Sequence, residues 1–265
     1  MDQIVKENHR MLPGYDIIIT LFTALCIALT ARVAHADLNP EQMARVDKIV
    51  DVRETLTDDK FLSEVAELKS LAEKDPKNDE LYAQQARLLF FMALNETDKE
   101  KRIEKYQRAI DAAEQATKVN PKSASGHFWR AAAIGRQGLD KGVLKALNNA
   151  STMRDSLEIT IEKNEKIERG AAHRALGRLY YELPGFPLSF GNNKKALEHL
   201  EKAYAIGPQE PANNAYYAQM LVKNGKKDEA KKYIDYVLAY PVKPEHKLEM
   251  AEYRRVAEET LKKMK

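Results

Sequence analysis

The chain has 265 residues, 44% of them hydrophobic and 31% charged, with a net charge of +3, one cysteine and one tryptophan. That is ample material for one core, and so near a balance of charge excludes a dedicated nucleic-acid binder. Glycines and prolines are few and β-branched residues scatter rather than alternate, so no sheet pattern emerges; Ala-, Leu-, Glu- and Lys-rich segments from about residue 40 onward make the fold class all-α.

In chain order, residues 17–31 form an uncharged apolar run, and Ala34-His35-Ala36 satisfies the small-residue rule for signal-peptidase cleavage after Ala36. Residues 1–36 therefore read as an export signal, or as an N-terminal anchor if retained, although about 20 residues are needed to span a bilayer. Asp2, Glu7 and Asp16 offset Lys6 and Arg10 in the flanking region. Cys26 follows Leu25 rather than the small residue of a lipoprotein signal, so lipidation is not expected. Cleavage would leave no cysteine, and with it no disulfide or thiol chemistry. The expected location is periplasmic or secreted.

Residues 37–265 read as one helical domain with no Ser/Gly-rich linker. Asn39-Pro40-Glu41 is a helix start, and helices are predicted over 41–54, 58–74, 79–96, 99–119, 123–138, 140–166, 169–182, 192–206, 211–224, 227–239 and 244–263. Ala109, Ala113, Ala116 and Pro121 repeat the spacing of Ala196, Leu200, Ala203 and Pro208. Each series lays an apolar stripe on one helix face and ends in a proline stop. Ahead of the second series, Ala172, Leu176, Leu179 and Tyr180 share a face, with Gly177 allowing close approach of a neighbour. Tyr217, Leu221, Ala230, Ile234 and Val237 form a further pair around the tight turn at 223–226, whereas the pair opened by Trp129 is divergent, its partner helix beginning near Leu139.

Paired amphipathic helices must bury their stripes against each other and against neighbours, the unit of a helical-hairpin solenoid. The spacing resembles the tetratricopeptide repeat (TPR), with one departure. Residues 182–193, with two prolines and two glycines, insert a hydrophobic loop between paired helices, containing Leu183, Pro184, Phe186, Pro187, Leu188 and Phe190. Folding back to plug a groove is the favoured reading of that loop over docking on a partner, because exposed apolar area is costly.

Gly126-His-Phe-Trp129, Ala131-Ala-Ala133, Gly135, Gly177-Arg-Leu-Tyr180, Leu183-Pro184, Gly191 and Lys195-Ala-Leu197 together resemble the periplasmic T component of tripartite (TRAP) transporters, TatT. They are also similar to the eukaryotic regulators of microtubule dynamics. The resemblance implies a TPR-like superhelix that binds a protein partner, an extracytoplasmic solute-binding protein in the transporter case. Cys26 departs from the lipoprotein habit of the TatT group.

Candidate binding residues follow from large side chains on the expected concave face. Trp129 with Arg130 and Arg136 would stack on or pair with a carboxylate-bearing ligand or peptide, unless the tryptophan simply fills the large position of its repeat. Tyr180-Tyr181 and Tyr216-Tyr217 would each turn one ring to the core and one outward. Phe186 and Phe190 belong to the loop. His127, His173, His199 and His246 show no metal-ligand spacing, and no nucleotide, nucleophile-elbow or phosphate-loop motif occurs, so neither metal, cofactor nor reaction is expected. The function expected is a non-enzymatic binding scaffold, with homo-oligomers allowed and membrane contact only through the N-terminal segment if that segment is not cleaved. The alternative is a carrier holding a small apolar or carboxylated ligand in a pocket between helices.

Overall fold

The computed structural model describes residues 38–264, apart from the side chains of residues 143, 144 and 146. The expected export signal, Cys26 and the cleavage site after Ala36 lie outside the described residues. Residues Asp37–Lys265 form one compact unit.

Among the described residues there are eleven α-helices: α1 Pro40–Asp51, α2 Asp58–Lys74, α3 Asp79–Leu94, α4 Lys99–Val119, α5 Ala124–Lys141, α6 Val143–Asn164, α7 Ala171–Glu182, α8 Asn193–Ile206, α9 Pro211–Lys223, α10 Lys227–Ala239 and α11 Lys247–Lys262. Short 3₁₀ turns lie at Arg53–Thr55, Ile167–Gly170 and Pro244–His246. The fold is an all-α TPR-like solenoid. Helices pair as α3/α4, α5/α6, α7/α8 and α9/α10, and each second helix packs on the first helix of the next pair. The first helices also touch directly, α3 with α5 and α7 with α9, so α3, α5, α7 and α9 make one layer and α4, α6, α8 and α10 the other. α2 packs on α3, α1 lies against α3, and α11 closes the array against α9 and α10.

Local chemistry accounts for the starts and breaks. Asn39 and Gln42 form a reciprocal capping box at α1, and Asp98, Ser123 and Asn192 each accept a backbone N–H at the N-terminus of α4, α5 and α8. Ala109, Ala113, Ala116, Ala196, Leu200 and Ala203 are all buried, as their spacing requires. Gly177 sits so close to Leu200 and the Ala196 carbonyl that a Cβ would collide, which brings α7 and α8 into contact. Several predicted boundaries differ by two or three residues. α5 runs three residues beyond the expected stop at 138 and breaks instead at Gly142, whose φ of 103° is open to glycine. The first predicted helix ends at Asp51 and gives way to the 3₁₀ turn, where Asn95 Nδ2 donates to the Arg53 carbonyl.

The N- and C-terminal ends of this unit meet. The turn at Arg53–Thr55 lies against Pro244–His246. The Glu54 carboxylate accepts the backbone N–H groups of Leu248 (2.6 Å) and Glu249 (3.2 Å), capping α11 from a distance, and Arg53 pairs with Glu249. A negative charge on the free N–H groups of a helix start is favourable twice over, through hydrogen bonds and through the helix dipole.

Candidate functional site

The face of the first-helix layer is treated differently at its two ends. At one end α11 covers it. Glu252 of α11 receives Arg136 of α5 at 3.0 Å, Arg178 of α7 at 3.6 Å and the Tyr216 hydroxyl of α9 at 2.7 Å. Arg178 lies 4.2 Å from the Tyr216 ring centroid, and Tyr253 meets the same ring edge-on. Burial alone would raise the Glu252 carboxyl, but Arg136, the Tyr216 hydrogen bond and Arg178 outweigh it and hold the pKa below the ordinary value. Burial pushes the Tyr216 hydroxyl up to about 12, so it stays protonated and donates.

At the other end the described residues leave a groove of about 580 Å³. α1 lines it with Met43 and Asp47, α3 with Glu80, Gln84 and Arg87, and α5 with Ser125 and Trp129; Lys166, Ile167, Glu168 and Arg169 form the far wall. Arg87 is buried, 2.7 Å from Asp47 and 3.1 Å from Glu168, with its guanidinium 5.9 Å from the Trp129 ring. Its Nε finds no hydrogen-bond partner among the described residues. The far wall is strained: Glu168 and Arg169 both have left-handed backbones, with φ of 43° and 55°. Asn213, fully buried in α9, holds it there. Its Nδ2 donates to the carbonyls of Arg169, Ala203 and Gly207, while Arg174 donates to its Oδ1. A mixed groove with one buried cation, an aromatic edge and flanking carboxylates suits a segment that brings its own carboxylate and an apolar or planar group.

The sequence-derived candidates are distributed across both ends and beyond. Trp129 is 4% exposed and packs on Phe90, Phe91 and Phe128 at centroid distances of 5.4, 5.6 and 4.8 Å, presenting only part of itself to the groove. Arg130 points elsewhere, to Glu114 on α4 and Ser156 on α6. Arg136 is taken up by Glu252. The outward aromatic surface expected of the tyrosine pairs does not form at α9. Tyr216 faces α11, Tyr217 packs against Tyr204 and Tyr233, and both are buried because α9 is covered on each side. Tyr180 is buried against His199 and Phe190, and Tyr181 is half-buried beneath Lys223. The 182–193 loop does not fold back as the expected plug: Phe190 packs on Tyr180 at its base, but Phe186 is 94% and Leu188 83% exposed. Residue spacing gave no sign of Arg87, Arg178 or Glu252, whose meetings depend on tertiary packing.

His173 and His199 form a further polar pair between α7 and α8, their Nδ1 atoms 2.9 Å apart, so one ring donates and the other accepts. Burial, then the His173, Lys202 and Lys195 charges, pushes His199 down to about 4. Burial and Lys202 lower His173 as well, against the pull of Glu165.

Comparison with known proteins gives two matches to protein families. The family described as "Regulator of microtubule dynamics protein 1-3" matches residues 43–188, and a tetratricopeptide-repeat family matches residues 188–248. No curated protein matches the chain. Among solved structures, a thermophilic TPR protein of Thermus thermophilus, TTC0263, is 15% identical with a TM-score of 0.49, covering 76% of this chain and 90% of its own. MamA is 19% identical with a TM-score of 0.44 over 81% and 94% of the two chains. MamA from Desulfovibrio magneticus RS-1 is 15% identical with a TM-score of 0.45 over 84% and 98%.

Proposed function

Since the chain belongs to the regulator of microtubule dynamics protein 1-3 family, whose match spans more than half of it, we propose that it is a non-enzymatic binding scaffold that takes a carboxylate-bearing segment of a protein partner into the groove between α1, α3, α5 and the 166–169 turn. One observation carries this reading. α11 and its Glu252 already occupy the far end of the first-helix layer, whereas no helix among the described residues covers the Arg87–Trp129 end. Arg87 is held by two carboxylates on opposite sides of that groove, so an incoming carboxylate would exchange with them rather than meet a bare charge. The apolar run at 17–31 and the Ala34-His35-Ala36 site support a periplasmic or secreted location. With the resemblance to TatT, they support an extracytoplasmic solute-binding protein as the partner and a TRAP-type transporter as the setting.

The volume of the groove also favours a second reading, a carrier for a small carboxylated ligand, since pockets of roughly 300–1,000 Å³ hold such molecules. A photo-crosslinking amino acid placed at Ser125, followed by affinity purification and mass spectrometry from the native cell, separates the two. Reproducible capture of a solute-binding protein supports the transporter reading, and capture of a different protein keeps the scaffold but removes the transporter. Recovery of the protein alone, with a small molecule released on denaturation, sinks the scaffold in favour of the carrier.

A further inference from the structure

The loop between α7 and α8 has a closed neck and an exposed tip. The Gly191 N–H donates to the Pro184 carbonyl at 2.9 Å, the Asn192 N–H to the Tyr180 carbonyl at 2.9 Å, and the Leu188 and Ser189 N–H groups to the Gly185 carbonyl at 3.2 and 3.3 Å. A Cβ on Gly191 would collide with the Leu183 carbonyl, so the two sides of the neck are in contact. Phe190 pins the base, its ring edge-on to Tyr180 and 4.8 Å from the Arg154 guanidinium. Beyond this neck Phe186 is 94% and Leu188 83% exposed, the two most exposed large hydrophobic residues among those described.

A braced neck that holds two apolar side chains out in water needs an occupant for them. A protein interface of ordinary size needs roughly 800 Å² from each partner, with its anchors in the middle of a packed patch. This tip offers two exposed side chains on one short loop, and the residues that flank the loop are the exposed, charged Glu182, Lys194 and Lys195. A bilayer surface accepts such a tip. Apolar side chains enter the boundary between headgroups and acyl chains, backbone groups bonded within the loop go in without losing partners, and lysines stay at the phosphates. From residue 183 to residue 197 the chain carries two lysines and no carboxylate.

We propose that the 183–192 loop is a membrane-contact element, in which Phe186 and Leu188 enter the interface of a bilayer with anionic headgroups while Lys194 and Lys195 lie against its phosphates. So small a wedge binds reversibly; it orients a protein that is already near the membrane and does not anchor it.

The unit from Asp37 to Lys265, which carries its own core and omits the apolar run, is the protein to test. A Phe186→Trp variant is mixed with vesicles of equal parts phosphatidylcholine and phosphatidylglycerol. Its emission shifts to the blue while that of the unsubstituted unit, reporting buried Trp129, does not. The double variant Phe186→Ser, Leu188→Ser binds the vesicles about tenfold more weakly or worse in co-sedimentation, with an unchanged melting temperature. Lys194→Gln with Lys195→Gln reduces the preference for anionic over pure phosphatidylcholine vesicles. The proposal is overturned if the emission does not shift, if the double serine variant binds as tightly as the parent, or if a crosslinker at the tip captures one protein while vesicles leave the emission unchanged. Crosslinking from Ser125 is unaffected by the double serine variant, so the groove and the loop fail or survive separately.

Discussion

The two ends of the first-helix layer both place arginine beside an aromatic ring, yet among the described residues only one is covered by a helix. Arg136 and Arg178 with Tyr216 converge on a single carboxylate from α11, and the chain supplies its own ligand there. Arg87 with Trp129 is shared between carboxylates of α1 and of the strained 166–169 turn, which stand on separate walls of a groove. A cation satisfied by one carboxylate on a docked helix is a structural joint, and releasing it means lifting the helix. A cation divided between two walls can trade one partner at a time. The difference lies in how the carboxylates are arranged, since the residue types are alike.

The largest effect is expected where the open end is mostly wall. Trp129→Ala removes the ring that Phe90, Phe91 and Phe128 pack on, and should destabilise the protein by about 4 kcal/mol in chemical denaturation, as large core deletions do. Trp129→Phe keeps most of that packing and should cost about 1–2 kcal/mol. If alanine costs less than about 1 kcal/mol, the tryptophan is not a structural wall and the contrast between the two ends is wrong.

Next in size is the closed end. Glu252→Ala leaves Arg136, Arg178 and the Tyr216 hydroxyl facing one another without an anion, and should cost about 2 kcal/mol, below the range for fully buried pairs because these side chains are partly solvated. Hydrogen exchange should quicken in α11 and leave α3 as it was. Faster exchange spread evenly over both helices would show that the ends are not independent.

Much of this architecture was legible because its signals are local. The Asn192 cap, the close approach at Gly177 and the buried series of Ala196, Leu200 and Ala203 each depend on residues within one turn or one hairpin. Even the TPR-like class follows from repeating that spacing. The site was not legible for the opposite reason. Arg136 and Glu252 stand 116 positions apart, and nothing near either residue marks the other. At α9 the adjacent tyrosines suggested one inward and one outward ring, but residues 211–218 are buried without a break, because α11 takes the face that the next repeat would cover. Asn213 is of a type that is mostly exposed, yet it is buried, its amide donating to three carbonyls. In the 182–193 loop the apolar composition was visible, but not that the neck would divide it into an inward Phe190 and an outward Phe186.

The smallest expected effect concerns the boundary between the ends. His173 opens α7 just after the strained turn and shares a hydrogen bond with His199 of α8, which stacks on Tyr180 at the base of the loop. Lys202 and Lys195 disfavour a proton there and Glu165, 3.9 Å from His173 Nε2, favours one. The folded protein keeps these rings neutral down to a lower pH than the unfolded chain, so their contribution to stability is complete above the ordinary histidine value of 6.5. As pH falls from 6.5 towards about 4 the unfolded chain takes up protons first and that contribution is lost; below about 4 the folded ring is protonated too and the loss levels off. His199→Gln removes this residue's share of the slope. Melting temperatures of parent and variant, compared across that window, should converge as the pH falls, by about 3 °C for each kcal/mol of that share in a chain of this length. Parallel curves would mean that the pair does not titrate between the two states. Convergence accompanied by faster exchange at 167–173, but not in α11, would show that acid loosens the wall of the open groove while the closed end holds.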